Sequence, residues 1–373
     1  MFFFFTDTEG NENNHITGNK GEWSEIYALF KLLGDGKVHA GDANMNKLPL
    51  YYPILSIIRQ ESKKFTYSPD SSQKIVVIKG DGEVLAQIPM KTFVEESQRL
   101  FDEIVSVQST EGAFSLPRAE AFMKTVYCSK LKAPSYDKSD IHIIIHDLRT
   151  NMTPTLGFSI KSQLGSPSTL LNASIPTNIR YKVAGSISDE EIKRIDAIPH
   201  HLRKITALYH AGGRLEYDYV VHDTFRNNLL FLDSCMPEFI ADCLIKDSVN
   251  GDPSIKNAVE MVAQDNPFNF KGNTLNYYSH KMKQLLLASA LGMTPAKEWS
   301  GHFDANGGYL VVKRDGEIVC YHFYNQNDVE DYLYNNTKFE RASRRRNHFG
   351  SFYTIKGRSG YFINLNLQIR FIK

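Results

Sequence analysis

The sequence predicts a mixed α/β (α+β) fold: a mixed sheet flanked by helices, followed by a mostly helical C-terminal part that ends in β-hairpin strands. Three observations predict it. Residues 140–147 (DIHIIIHD) and 156–165 (LGFSIKSQLG) read as two strands joined by a short polar turn. Residues 21–33 (GEWSEIYALFKLL) place apolar side chains at helical spacing. Beyond about residue 186, helix patterns follow one another, and a soft boundary near 185 divides region 1–185 from region 186–373.

The elements follow in order. In the first helix Trp23, Ile26, Tyr27, Phe30 and Leu33 share one face, and Gly34 is expected to end it. Strand-like runs cover 51–60, 73–80 and 83–89, with Gly80-Asp81-Gly82 as a turn between the last two. Helices are expected at about 90–106 and 117–129, the second opened by Pro117. The two strands of 140–165 have so short a connection that they should pair antiparallel. Ser188 ahead of Glu190 and Glu191 reads as a capped helix start, and further helical patterns lie near 223–233, 236–247, 254–264 and 277–291. Residues 307–324 form a hairpin turning at Asp315-Gly316. At the end Leu365, Leu367, Ile369 and Phe371 alternate with Asn366, Gln368 and Arg370, which is strand periodicity.

Composition excludes several classes. With 373 residues, 42% apolar and 23% charged, the chain is an ordinary globular one. No apolar run reaches the length of a membrane span, and the opening MFFFF lacks the basic start of a signal peptide, so a cytoplasmic protein is expected. Four widely spaced cysteines (Cys128, Cys235, Cys243, Cys320) form no CxxC pair and read as reduced, mostly buried thiols. No Gly-rich phosphate loop or nucleophile elbow appears, which disfavours an NTP-driven enzyme or a serine hydrolase. Net charge is only +1, yet Lys338 to Lys373 carries nine Lys or Arg against Glu340 alone, a concentration that fits a polyanion partner.

Residues 139–165 carry the chemistry. Asp140 opens one strand and Lys161 lies near the far end of the next. If the turn centres near residue 151, Asp140 falls opposite residues 161–163. Ser159, Lys161 and Gln163 share a face because strand side chains alternate. An acid, a lysine and an amide at one sheet end suit phosphodiester hydrolysis. A carboxylate and a backbone carbonyl can hold Mg²⁺, which acidifies a bound water, while the lysine orients that water and stabilises the phosphorane charge.

This stretch resembles the PD-(D/E)xK nuclease core. Ser139-Asp140 stands where Pro-Asp is usual, Ser159-Ile160-Lys161 where (D/E)-x-K is usual, and Gln163 matches a glutamine that often follows. Ser159 cannot supply the second carboxylate. The Gly-x-x-x-Glu spacing of KGEWSE resembles the first helix of such nucleases, which makes Glu25 the expected donor, with Glu22 one turn earlier as substitute. Four longer stretches resemble HpaII-type restriction endonucleases: ITGNKGEWSEIYALFKLL, LGFSIKSQLGSPSTLLNAS, GMTPAKEWSGHFDANGGYLVVK and LNLQIRFIK. The resemblance implies a Mg²⁺-dependent type II enzyme that cuts both strands of double-stranded DNA at a short palindrome, CCGG cut after the first C. Asp140, Glu25 and the Ile160 carbonyl would hold the metal, Lys161 would position water, and Gln163 would support the site. Region 1–185 would be the nuclease core, and 186–373 the recognition and dimerisation part of a monomer or homodimer. A cognate cytosine DNA methyltransferase would protect the host. A catalytically inactive DNA-binding protein, and a nicking or modification-dependent nuclease, are the alternatives.

For DNA contacts the sequence offers Arg149 in the turn, Arg180, the run Arg344, Arg345 and Arg346, and the small polar segment holding Ser166 and Ser168. The arginine run is expected on phosphates, because adjacent charges cannot all reach base edges. His142 and His146 share the face of Asp140 and could lie behind the metal site or touch DNA. Asp147, an odd number from Asp140, is ranked second as a metal acid. His200, His201 and His210 read as structural or surface groups.

Overall fold

The computed structural model describes residues 15–108, 112–132, 139–303, 306–322, 326–340 and 342–372, without the side chain of His201. The opening Met-Phe run, Phe323 and Tyr324 of the expected hairpin, and Lys373 lie outside the described residues.

The first part of the chain runs β1 (Thr17–Gly18), α1 (Lys20–Asp35), β2 (Lys37–Gly41), β3 (Lys47–Gln60), β4 (Lys64–Asp70), β5 (Ile75–Gly80), β6 (Glu83–Pro89), α2 (Met90–Ser106), β7 (Phe114–Ser115), α3 (Pro117–Thr125), β8 (Ile141–Ile145), β9 (Thr155–Ser162), β10 (Thr169–Leu171) and β11 (Asn178–Ala184). It continues through α4 (Asp189–Asp196), α5 (His201–His210), β12 (Arg214–Val220), α6 (Asp223–Leu232), α7 (Met236–Asn250), α8 (Ile255–Asp265) and α9 (Thr274–Leu291). The remainder is β13 (Gly308–Val312), β14 (Ile318–His322), α10 (Gln326–Asn335), β15 (Thr337–Phe339), α11 (Arg344–Asn347), β16 (Phe352–Tyr353), β17 (Phe362–Asn366) and β18 (Ile369–Phe371). The mixed α/β (α+β) class holds. The elements fall into two units, one of Met1–Lys37, Pro53–Thr155 and Leu164–Ser166, the other of Val38–Tyr52, Leu156–Gln163 and Pro167–Lys373.

In the first unit α1 starts where the sequence allows it. The Asn19 side chain accepts from the Glu22 amide, and the Glu22 carboxylate accepts from the Asn19 amide, a reciprocal cap. Its apolar face buries Trp23, Ile26, Tyr27, Phe30 and Leu33, each worth about 1.5–3 kcal/mol. Phe30 meets Phe93 of α2 and Phe122 of α3 edge-on, at centroid distances of 6.1 and 4.9 Å. The expected stop at Gly34 is corrected. The helix runs to Asp35 and is closed by Gly36, in the left-handed conformation at φ 64°, whose amide reaches the Leu32 carbonyl. Gly34 serves packing instead: a Cβ there would sit 2.8 Å from Val94 Cγ2 and 2.9 Å from the Val94 amide nitrogen on α2.

Strands β8, β3, β4, β5 and β6 follow one another antiparallel, with Ile57 opposite Ile143 on one side and Tyr67 on the other. Strand β8 alternates as expected, Ile141, Ile143 and Ile145 buried and His142 and Ile144 half-buried. Strand β4 was not anticipated, since its KFTYSPD ends in turn formers, yet Phe65 and Tyr67 alternate into the core.

The second unit contains a mixed sheet β2–β14–β13–β9, in which β13 pairs antiparallel with β14 and parallel with β9. Every residue of β13 and β14 is buried, the mark of strands covered on both faces. A second sheet runs β12–β11–β17–β16 and a third β10–β18–β15, both antiparallel. The apolar core of this unit gathers Tyr181, Phe225, Phe239, Tyr278, Leu285 and Leu333. Ser188 caps α4 as expected, its hydroxyl accepting from the Glu191 amide. Helices α5 and α10 were not anticipated. The closing alternation is real but interrupted: Leu365, Leu367, Ile369 and Phe371 are all buried, while the chain leaves one sheet after Asn366 and enters another at Ile369. The four cysteines are free thiols, three of them buried. Among the described residues no helix is long and apolar enough to cross a membrane.

Candidate active site

The expected site residues form one group in each unit. In the first unit the choice lies between the two glutamates of α1, Glu22 and Glu25. Glu22 is committed to the cap and to an ion pair with Lys132. Glu25 is not: its Oε2 is buried with no hydrogen-bond partner among the described residues. Burial, and next the Asp140 carboxylate, push the Glu25 carboxyl up to about 8, against the opposing pull of Arg59 and Lys132. Asp140 immediately precedes β8, and the half-buried position suits access from solvent water.

A buried ion pair braces this group. Arg59 Nε donates to Glu61 Oε1 at 2.9 Å, and its Nη2 to the Lys130 carbonyl at 2.7 Å. Glu61 Oε2 accepts from the Ser129 amide and hydroxyl. The pair therefore fixes segment 128–132, which delivers Lys132 to Glu22. Arg59, Glu61 and Lys132 were missed, because nothing in a strand-end RQE marks it as buried.

The donor set fits a divalent cation. The Asp140 carboxylate adds to the cost of ionising the buried Glu25, whose Oε2 has no hydrogen-bond partner among the described residues. A dication reverses that balance. Among the described residues no cluster of three or more His, Cys, Asp or Glu could hold a metal. A magnesium site needs only one or two carboxylates beside its waters.

In the second unit β9 presents Ser159, Ile160 and Lys161, paired in parallel with Tyr309, Leu310 and Val311 of β13. Lys161 Nζ donates to Ser159 Oγ at 2.9 Å and lies 5.3 Å from the centroid of the Tyr309 ring. Ser159 is buried. Ser159 thus bonds the ammonium, and Tyr309 backs it through its π face. Gln163 is tied at both ends: its amide nitrogen lies 3.3 Å from Met45 Sδ, and its oxygen accepts from the Arg314 amide.

The remaining candidates have distinct settings. Asp147 is 1% exposed and anchors the turn: its Oδ1 accepts from the Arg149 amide at 2.9 Å, and its carbonyl from the Asn151 amide. Burial raises its carboxyl, but the hydrogen bonds from Arg149 and Thr150 prevail and hold it below the usual range. His146 joins the same turn through Asn151. The Arg149 Nε lies 3.8 Å from Asp147 on a half-exposed side chain. Arg180 on β11 donates to Asp218 at 2.5 Å. Arg344 is held by the carbonyls of Pro199 and Gly350, whereas Arg345 and Arg346 are exposed. Ser166 is exposed, and the Ser168 carbonyl accepts from the Phe371 amide, which ties its segment to β18. His200 and His210 are exposed at the two ends of α5.

The family model described as HpaII restriction endonuclease matches residues 19–371. The chain is 44% identical over 359 residues to the type II restriction enzyme HpaII of Haemophilus parainfluenzae, covering 96% of this chain and 99% of that one. No solved structure matches.

Proposed function

The chain belongs to the HpaII restriction endonuclease family, and from that premise we propose that it is a type II restriction endonuclease cutting both strands of double-stranded DNA at CCGG, after the first C. Similarity over nearly the whole of both chains carries this reading. The charge surplus of residues 338–373 and the unpartnered Glu25 oxygen support it.

Mg²⁺ is the metal this site would take, and Glu25, Asp140 and the Ile160 carbonyl would hold it. When bound it acidifies a coordinated water and neutralises charge on the scissile phosphate. Lys161 orients the attacking water and donates to the developing phosphorane charge. Ser159 and Tyr309 fix the lysine, and Gln163 supports the strand end that carries it. Water attacks phosphorus, the bond to the 3′ oxygen breaks, and the products carry 5′-phosphate and 3′-hydroxyl ends. The partner in the cell is a cytosine DNA methyltransferase that blocks the same palindrome. Two cuts at a palindrome come from a homodimer or from successive turnovers of a monomer.

Digestion of unmethylated plasmid with and without Mg²⁺, followed by sequencing of the ends, tests the proposal. Mg²⁺-dependent fragments ending at CCGG support it, and discrete fragments ending elsewhere keep the nuclease and discard the palindrome. Because Ser159 stands in an acid's place, intact plasmid with every divalent metal would favour a binding protein on the same scaffold.

A further inference from the structure

The three adjacent arginines are not equivalent. Helix α11 advances about 100° per residue, so their side chains diverge. Arg344, half-buried, bonds the carbonyls of Pro199 and Gly350. Arg345 lines a cleft of about 770 Å³ together with Ser343, His348, Tyr353, Asn364 and Arg344, but of the two arginines only Arg344 is held by those carbonyls. Arg346 is exposed and does not line it.

One wall of this cleft is an ordered polar relay. The Tyr353 hydroxyl donates to Asn364 Oδ1 at 2.7 Å, which fixes the amide so that its NH₂ group remains as a donor. Arg180, opposite Asn364 in the β11–β17 register, donates to Asp218. Asp218 also accepts from Arg358, whose guanidinium carbon lies 4.5 Å from the Phe362 ring centroid. Two guanidinium groups share that carboxylate. From residue 341 to 373 the sequence contains no Asp or Glu. Among the described residues neither Arg345 nor Arg346 has a carboxylate partner.

We propose that this cleft is the base-reading subsite of the enzyme for duplex DNA, with Arg345 and Asn364 as the specificity-determining residues. Arg345 supplies the guanidinium fork that matches O6 and N7 of a guanine, and the fixed Asn364 amide donates to a neighbouring acceptor. Tyr353 is the positioning residue that orients Asn364. Arg346, outside the cleft, holds a phosphate and carries no sequence information. The proposal rests on the restriction-enzyme reading and adds to it the place where sequence is read.

The test measures anisotropy of labelled duplexes in EDTA, so that nothing is cut. One duplex contains the cleavage site mapped for the unmodified protein and the other the same bases scrambled. Arg345→Ala and Asn364→Ala are expected to lower the preference for the site by about tenfold or more. Arg345→Lys, which keeps the charge and loses the fork, should behave like Arg345→Ala, and Tyr353→Phe like a milder Asn364→Ala. Arg346→Ala should weaken both duplexes alike, and Arg99→Ala on α2 should change neither. Thermal melts confirm that each variant is folded. If Arg345→Ala and Asn364→Ala weaken both duplexes equally, or leave the preference within twofold, the subsite is overturned while the enzyme reading stands. If the unmodified protein cuts no plasmid and prefers no duplex, both are overturned.

Discussion

Lys161 donates a hydrogen bond to Ser159, two positions back on the same face of β9, at 2.9 Å. Ser159 therefore serves the lysine. Lys161→Ala should lower the cleavage rate by about 10²–10³, the effect of removing one donor to developing charge, and leave DNA binding in EDTA unchanged. Ser159→Ala removes this hydrogen bond and keeps the ammonium, and should cost about tenfold, in keeping with a hydrogen bond to a charged group. Single-turnover rates on a one-site duplex check both.

Glu25 is a partly buried acid with an unpartnered oxygen beside a second carboxylate. Glu25→Gln should raise the melting temperature in EDTA, because it removes the cost of ionising a buried carboxyl and, next, its repulsion with Asp140. It should also abolish the rise that Mg²⁺ or Ca²⁺ produces in the unmodified protein, and abolish cleavage. Melting curves in EDTA and in each metal read this without any catalysis. A metal-induced rise that survives Glu25→Gln would remove Glu25 from the donor set.

Gly34 lets α2 approach α1. A methyl group there would meet both the Val94 side chain and its backbone nitrogen. Gly34→Ala should cost about 1–3 kcal/mol through overpacking. Adding Val94→Ala should recover only part of it, since the backbone contact at 2.9 Å remains. Urea unfolding of the single and double variants measures both.

Asp242 on α7 has its carboxyl pushed up to about 6, by burial first and by Glu238 one turn earlier, against Lys246. The unfolded carboxyl titrates near 3.9. Between those values the folded chain holds a proton that the unfolded chain has released, so stability falls as pH rises through this window. Asp242→Asn lacks that loss. Its stability relative to the parent should improve from pH 4 to pH 7 by about 1–2 kcal/mol and then level off. Denaturation at pH 4, 5.5 and 7 gives the curve.

Patterns that rest on local periodicity were legible in the sequence. The helical face of α1, the isoleucines of β8 and the closing alternation of Leu365 to Phe371 all bury the side chains expected. The break of that last run between two sheets was not legible, because alternation fixes which side faces inward and says nothing of the strand alongside. Gly34 and Gly36 look alike as helix stops, and only the neighbouring α2 separates a contact glycine from a cap. Glu22 and Glu25 likewise differ through partners distant in sequence, Lys132 and Asp140. The arginines of residues 180 and 344 to 346 were visible as charges, but the groups that immobilise Arg180 and Arg344 came from loops and strands no motif marks.

The sheet that carries Arg180 and Asn364 has a consequence for the timing of folding. Tyr181 on β11 pairs with Ile363 on β17, 182 positions on. In the first unit the pairs β3–β4, β4–β5 and β5–β6 each join strands that are consecutive along the chain. During synthesis those strands can join early, whereas β11 must wait until residues 362–366 have emerged. Pairings of such long range close slowly. The surface that selects DNA is thus among the last to take shape as the polypeptide is made, so a nascent chain has no finished grip on the genome of the cell that is making it.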